Sequence, residues 1–187
     1  MCSVSHLRGL RSGVGRVLVC WLLVALAGCG AVPERAGEAD GNRAPERFRI
    51  VPDDYHVPYA GTAAGGRKFF LSDELFVPGS GTAYVGLFLW NADGTFAELK
   101  VDEVRRPEGL PPAQAASAGA DQLVAAQLAE LGKYVLEPID VAPFTVNRNG
   151  VTFGWAVTQF EGTYSINIEP GSFIAYYEPW DGLEYDT

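Results

Sequence analysis

Thiols are scarce in this chain. Of 187 residues only three are cysteine, Cys2, Cys20 and Cys29, and none lies beyond position 29. The body of the chain therefore has no intrachain disulfide and no cysteine nucleophile, and it must be held together by its core. Histidine is almost as rare, with His6 and His56 alone. One body histidine and no thiol cannot build a zinc site of the usual nitrogen and sulfur type; carboxylates would have to supply the other ligands. Positive charge is also short. Fourteen Lys and Arg face 23 Asp and Glu, a net charge of −9. This argues against nucleic acid as a partner, because phosphates must be met by clustered cations. Catalytic signatures are missing too. Ser80 lies in Pro78-Gly79-Ser80-Gly81-Thr82, which is not G-x-S-x-G. Gly79 and Gly81 have no third glycine at 84, and no Walker sequence is present. With 48% hydrophobic, 12% aromatic and 20% charged residues, the composition is that of a globular domain. It excludes wholesale disorder, collagen and coiled coil.

The longest informative apolar run is short. Val17 to Leu26, VLVCWLLVAL, follows Arg8, Arg11 and Arg16, and the first acid of the chain is Glu34. Ten residues are too few to stay across a bilayer, which takes about 20. A basic start and an apolar stretch of about 7–15 residues are the layout of a secretory signal peptide. The run ends in Leu26-Ala27-Gly28-Cys29. This resembles the lipobox of bacterial lipoproteins. The resemblance implies cleavage between Gly28 and Cys29, a diacylglyceryl group on the Cys29 thiol, and frequent acylation of the new amino terminus. It covers residues 1–29 only. With Gly30 next, the sorting pattern of such lipoproteins implies the outer membrane if the host has two.

Removing residues 1–28 takes three arginines and no acids, so the mature charge falls to −12. An acidic body is repelled by anionic headgroups, and the acyl chains must do the anchoring. Residues 30–46, GAVPERAGEADGNRAPE, hold one branched aliphatic and no aromatic residue. They read as a flexible tether spanning roughly 20–25 Å. The expected organisation is a signal peptide over 1–28, an acylated tether over 29–46 and one β-rich domain over 47–187.

Within that domain the patterning predicts an α+β fold. It should be mainly antiparallel, a sandwich or an open barrel, with one helix packed on the sheet. Strands are expected at Phe48–Val51 and Arg67–Leu71, with a loop from Asp53 to Gly66 between them. Thr82–Trp90 is apolar on both faces, which predicts a central strand covered on both sides. Asn91-Ala92-Asp93-Gly94 is a hairpin signal. The return strand should turn Ala97, Leu99 and Val101 inward and Glu98, Lys100 and Asp102 outward. Ala113–Leu131 predicts the helix, with Gly132 at its end. Strands at 134–136, 139–141, 144–146, 151–158, 163–168 and 173–177 complete the series, separated by Pro138, Asn147–Gly150, Glu161-Gly162 and Glu169–Gly171.

Candidate chemistry is sparse. His56 sits in Asp53-Asp54-Tyr55-His56-Val57-Pro58 and reads as a surface-loop histidine; it would be the base of any Ser–His pair. Asn91 and Asp93-Gly94 mimic a calcium loop, but the first and twelfth positions would be Leu89 and Lys100 where carboxylates are required. The adjacent acids Asp53-Asp54, Asp73-Glu74 and Asp102-Glu103 are neighbours in sequence, and on a strand neighbours face opposite ways, so a strand pair makes no dyad by itself. The carboxyl end gathers Tyr176, Tyr177, Trp180 and Tyr185 beside Glu178, Asp181, Glu184 and Asp186. Three readings stay open there: an aromatic platform for sugar rings, a Ca²⁺ site, or Trp180 clamping a sheet edge. No catalytic residue, metal or cofactor is assigned. The sequence points to a cell-envelope protein with a binding or scaffolding domain. A glycan or peptidoglycan module using the carboxyl-terminal aromatics, and a small hydrolase using His56 or distant carboxylates, are the alternatives.

Overall fold

The computed structural model describes residues 43–105, 109 and 111–186. The signal segment, Leu26–Cys29 and most of the tether lie outside the described residues. Among the described residues twelve strands are formed: β1 Phe48–Ile50, β2 Tyr59–Ala63, β3 Lys68–Val77, β4 Thr82–Trp90, β5 Phe96–Glu103, β6 Tyr134–Leu136, β7 Ile139–Val141, β8 Phe144–Arg148, β9 Val151–Phe160, β10 Thr163–Glu169, β11 Ile174–Tyr176 and β12 Glu184–Asp186. The helix α1 spans Pro112–Leu131. A first five-stranded sheet runs β5-β4-β3-β2-β6, a second runs β12-β11-β10-β9-β8, and β1 and β7 form a separate ribbon. Every pairing is antiparallel. The fold is thus mainly antiparallel α+β, open rather than closed into a barrel, with one helix laid on a sheet.

Two cores follow from the period of β4. Phe88 and Trp90, joined by Tyr84, face the second sheet. They pack with Phe70, Leu75, Phe153, Trp155, Ile166, Ile168 and Tyr176. Val85, Leu87 and Leu89 face the other way, against Val124 and Leu131 of α1. The two-sided apolar pattern of Thr82–Trp90 thus describes a strand sandwiched between a sheet and a helix. The ribbon adds Phe48, Ile50, Ile139 and Val141 to the inter-sheet core. Gly132, at φ +77°, ends the helix, and its N–H donates to the Leu128 carbonyl.

The structure corrects three local expectations. Tyr59–Ala63 is a strand, not loop, paired to both β3 and β6. Its sequence YAGTA lacks apolar alternation. The reason is close approach: a Cβ on Gly61 would lie 1.9 Å from the Val135 carbonyl oxygen. The strand expected at Arg67–Leu71 runs on to Val77 across an irregularity. The β4–β5 register slips between Leu89 and Trp90 of β4, so Trp90 pairs with Phe96 while Ala97 is left over and exposed. Phe96, not Ala97, therefore turns inward, stacked on Phe144 with centroids 3.9 Å apart. The polar face of β5 is not simply wet. Lys100 meets Glu130 of α1 at 2.7 Å, and Asp102 accepts from Gln127 Nε2 at 3.0 Å.

The ribbon is fastened by a half-exposed ion pair. Arg49 Nε and one terminal nitrogen donate to the two Asp140 carboxylate oxygens at 3.1 and 3.0 Å. These hydrogen bonds and the guanidinium charge hold the Asp140 carboxyl below its ordinary value. A depressed carboxyl contributes stability above its unfolded pKa of about 3.9 and loses it as pH falls through the folded value. Asp140→Asn should therefore melt below the parent at pH 7, modestly because the pair is half-exposed. The difference should shrink as pH falls below about 3.9 and close once the folded carboxyl is protonated, which thermal melts across pH would read.

Candidate functional site

The loop before β2 is built around one carboxylate. Asp53 Oδ1 accepts the N–H groups of Tyr55 at 2.7 Å and Val57 at 3.0 Å, while the Asp53 N–H donates to the Val57 carbonyl. Such short-range carboxylate-to-backbone bonds fix a tight turn. Val57 is fully buried and pins its end. His56 is carried between these anchors.

Its partner comes from an irregular strand. The β3–β4 register passes from Ser72↔Gly86 to Leu75↔Tyr84, so Asp73 and Glu74 oppose the single residue Val85. This is a β-bulge. It restores the inward face to Leu75 and releases Glu74 from the pleat. The Ser72 hydroxyl accepts the Glu74 N–H at 3.2 Å and holds the bulge. Glu74 Oε2 then reaches His56 Nδ1 at 2.7 Å. The His56 side chain is only 11% exposed, against 44% for Glu74. His56 is thus no surface-loop residue: it is largely covered and carboxylate-bound, because the loop folds over the bulge. The clue in the sequence is the polar triplet Ser72-Asp73-Glu74 breaking an otherwise apolar run, FFLSDELFV.

Aromatic rings line the pair. Tyr55 lies over the imidazole at 3.9 Å between centroids, and Phe173 approaches it at 5.6 Å. Phe76 stacks on Phe173 at 6.5 Å. Gly171, at φ +110°, crosses Phe76 so closely that a Cβ would sit 2.9 Å from the ring. Tyr55 and Phe76 remain 68% and 42% exposed. The result is a strip of open aromatic surface around a half-exposed carboxylate acceptor.

Chemically, Glu74 fixes the ring orientation of His56, as the acid of a relay does. The other ring nitrogen, Nε2, is buried. A nucleophile or substrate arriving from solvent cannot reach it in this conformation, so the pair positions the loop and presents Glu74 and Tyr55 to the outside. Glu74→Gln keeps the size and removes the charge. Amide exchange at Tyr55–Val57 should speed up by about several-fold while β4 amides stay protected, as hydrogen-exchange mass spectrometry would show.

Among the described side chains, the carboxyl-terminal aromatics are not gathered into one platform. Tyr176 is fully buried, with its ring 5.3 Å from Phe48 and 5.4 Å from Trp155. Its bulk serves the core, and it offers no face to a ligand. Trp180 is half-buried and packs on the same core. Its carbonyl accepts the Arg49 N–H at 3.0 Å beside β1, the clamp on a strand edge. Tyr177 is 37% exposed. Tyr185 pairs through its backbone with Ala175, and its side chain lies outside the described ones. Asp181 closes a local turn by accepting the Leu183 N–H. Among the described residues no three His, Cys, Asp or Glu side chains converge as metal ligands, and no helix is long and apolar enough to cross a membrane.

Fold and site together define a three-layer helix–sheet–sheet domain with a histidine–carboxylate pair in an aromatic strip. No family model, curated protein or solved structure matches the chain.

Proposed function

We propose that this chain is a lipid-anchored cell-envelope protein, tethered through Cys29, whose sandwich domain binds or scaffolds outside the cytoplasm without catalysis of its own. The observation that carries the reading is Leu26-Ala27-Gly28-Cys29 at the end of a short apolar run behind three arginines. A thiol-free body suits it, since an oxidising compartment leaves such a chain untouched. The 17-residue stretch after Cys29 suits it too, being long enough to lift a domain clear of headgroups. Metabolic labelling with palmitate, before and after Cys29→Ser, is the test. In a host with two membranes, Gly30 favours the outer one.

The exposed aromatic strip favours a second reading of the binding role, a glycan surface. Sugars stack on exposed rings and donate hydroxyls to a nearby acceptor, and Tyr55, Phe76 and Glu74 offer both. Cell-wall glycan fragments should co-sediment with the protein and lose most of that binding in Tyr55→Ala. Equal sedimentation of parent and variant would move the surface elsewhere.

A further inference from the structure

Some strand borders in this fold carry bonds from neighbouring elements. Arg148 donates a terminal N–H to the Leu99 carbonyl of β5 at 3.1 Å, and the Trp180 carbonyl covers β1. The border formed by β6 differs. β6 is the last strand of the first sheet, and Tyr134, Val135 and Leu136 are 36%, 61% and 47% exposed. An open apolar edge is a template for another strand.

The backbone parity of that edge is fixed. The Glu137 N–H donates to the Ala60 carbonyl at 3.2 Å, and Thr62 pairs with Val135. Hydrogen-bonded pairs alternate along an antiparallel ladder. Val135 therefore turns its N–H and C=O inward to β2, while Tyr134 and Leu136 turn theirs outward. The sequence around this edge reads Lys133-Tyr134-Val135-Leu136-Glu137. It is charge-complementary to itself when reversed.

We propose that β6 pairs with β6 of a second copy of this chain, antiparallel and centred on Val135, so that the two first sheets become one. In that register Tyr134 lies opposite the partner's Leu136, and their outward backbone groups meet in hydrogen-bonded pairs. Val135 meets its own copy in a non-bonded pair, where side chains come closest. Lys133 lies opposite the partner's Glu137, on the same face as Val135. Opposite charges directly across a ladder stabilise it, and like charges destabilise it. Pro138 has no N–H to continue the ladder and stops it after five residues. The interface is isologous and closes on itself, giving a dimer rather than a fibre. The pairing does not depend on the lipid anchor.

Cysteine placement tests the register. In a full-length chain whose three native cysteines are Ser, Val135→Cys puts a thiol on the symmetry axis, with Cβ atoms about 4.5–5.5 Å apart. Mild oxidation of the purified chain should then give a reductant-sensitive dimer as the main species. Tyr134→Cys faces a leucine instead of itself, and Phe160→Cys lies on another exposed strand; both should stay at background. Adding Lys133→Glu to Val135→Cys should cut the dimer yield by about tenfold, and adding Glu137→Lys as well should restore it. No dimer at Val135→Cys, an equal yield at Phe160→Cys, or indifference to the Lys133→Glu change would each overturn the proposal. Because oxidation is done in vitro, these outcomes are independent of whether Cys29 is acylated in cells.

Discussion

Exchanging one sulfur for oxygen at Cys29 is expected to strip the chain from the membrane. Parent cells fed radioactive palmitate should incorporate label into this protein and retain nearly all of it in the membrane pellet. Cys29→Ser should incorporate none and appear in the soluble fraction or as an uncleaved precursor. On the proposed reading the acyl chains carry the adhesion, so the expected effect is large. Each buried CH₂ of an acyl chain contributes about 0.8 kcal/mol, and stable anchoring takes two chains or more. Against this, residues 29–187, with 11 basic and 23 acidic side chains, would be repelled by an anionic surface. Labelling and sedimentation that do not change with the substitution would remove the anchor from the account.

Trp155→Ala is expected to be the most damaging single change within the domain. Trp155 is fully buried and touches rings of the ribbon and both sheets: Phe48 of the ribbon at 5.2 Å, Phe70 of the first sheet at 5.2 Å and Tyr176 of the second at 5.4 Å. Truncating a buried aromatic costs about 3–5 kcal/mol, through lost transfer energy and an unfilled cavity. A domain of this size has roughly 5–15 kcal/mol in all. The melting temperature should fall by roughly 10 °C or more. Trp155→Phe separates packing from polarity. The indole Nε1 is buried without a hydrogen-bond partner among the described residues. Phenylalanine removes that unpaired donor, so its cost should stay under about 2 kcal/mol despite the smaller ring. Calorimetric melts of the two variants would compare them directly, and equal losses would mean that the cavity is not the cause.

Much of the architecture is legible in the sequence itself. The double-sided apolar run at Thr82–Trp90, the Ala- and Leu-rich helix and the Asn-Gly and Glu-Gly turns each carry a local signal, because period and turn chemistry are properties of neighbouring residues. Tyr59–Ala63 carried none. Its strand exists because β3 and β6 flank it and because Gly61 admits a neighbouring carbonyl. The slip at Ala97 was likewise hidden, since a bulge changes which residues share a face without changing the alternation that is read. The carboxyl-terminal tyrosines were legible as a cluster but not as buried or open.

The proposed address of this protein rests on a contiguous stretch: arginines, an apolar run, then Leu26-Ala27-Gly28-Cys29. Its class of fold was also there, in periods of two and of 3.6 residues. The union of His56 with Glu74, the burial of Tyr176 and the outward turn of the β6 backbone were decided only in three dimensions. Each depends on residues distant in sequence, brought together by a bulge, a layer contact or the parity of a ladder, and none of these leaves a mark in local composition.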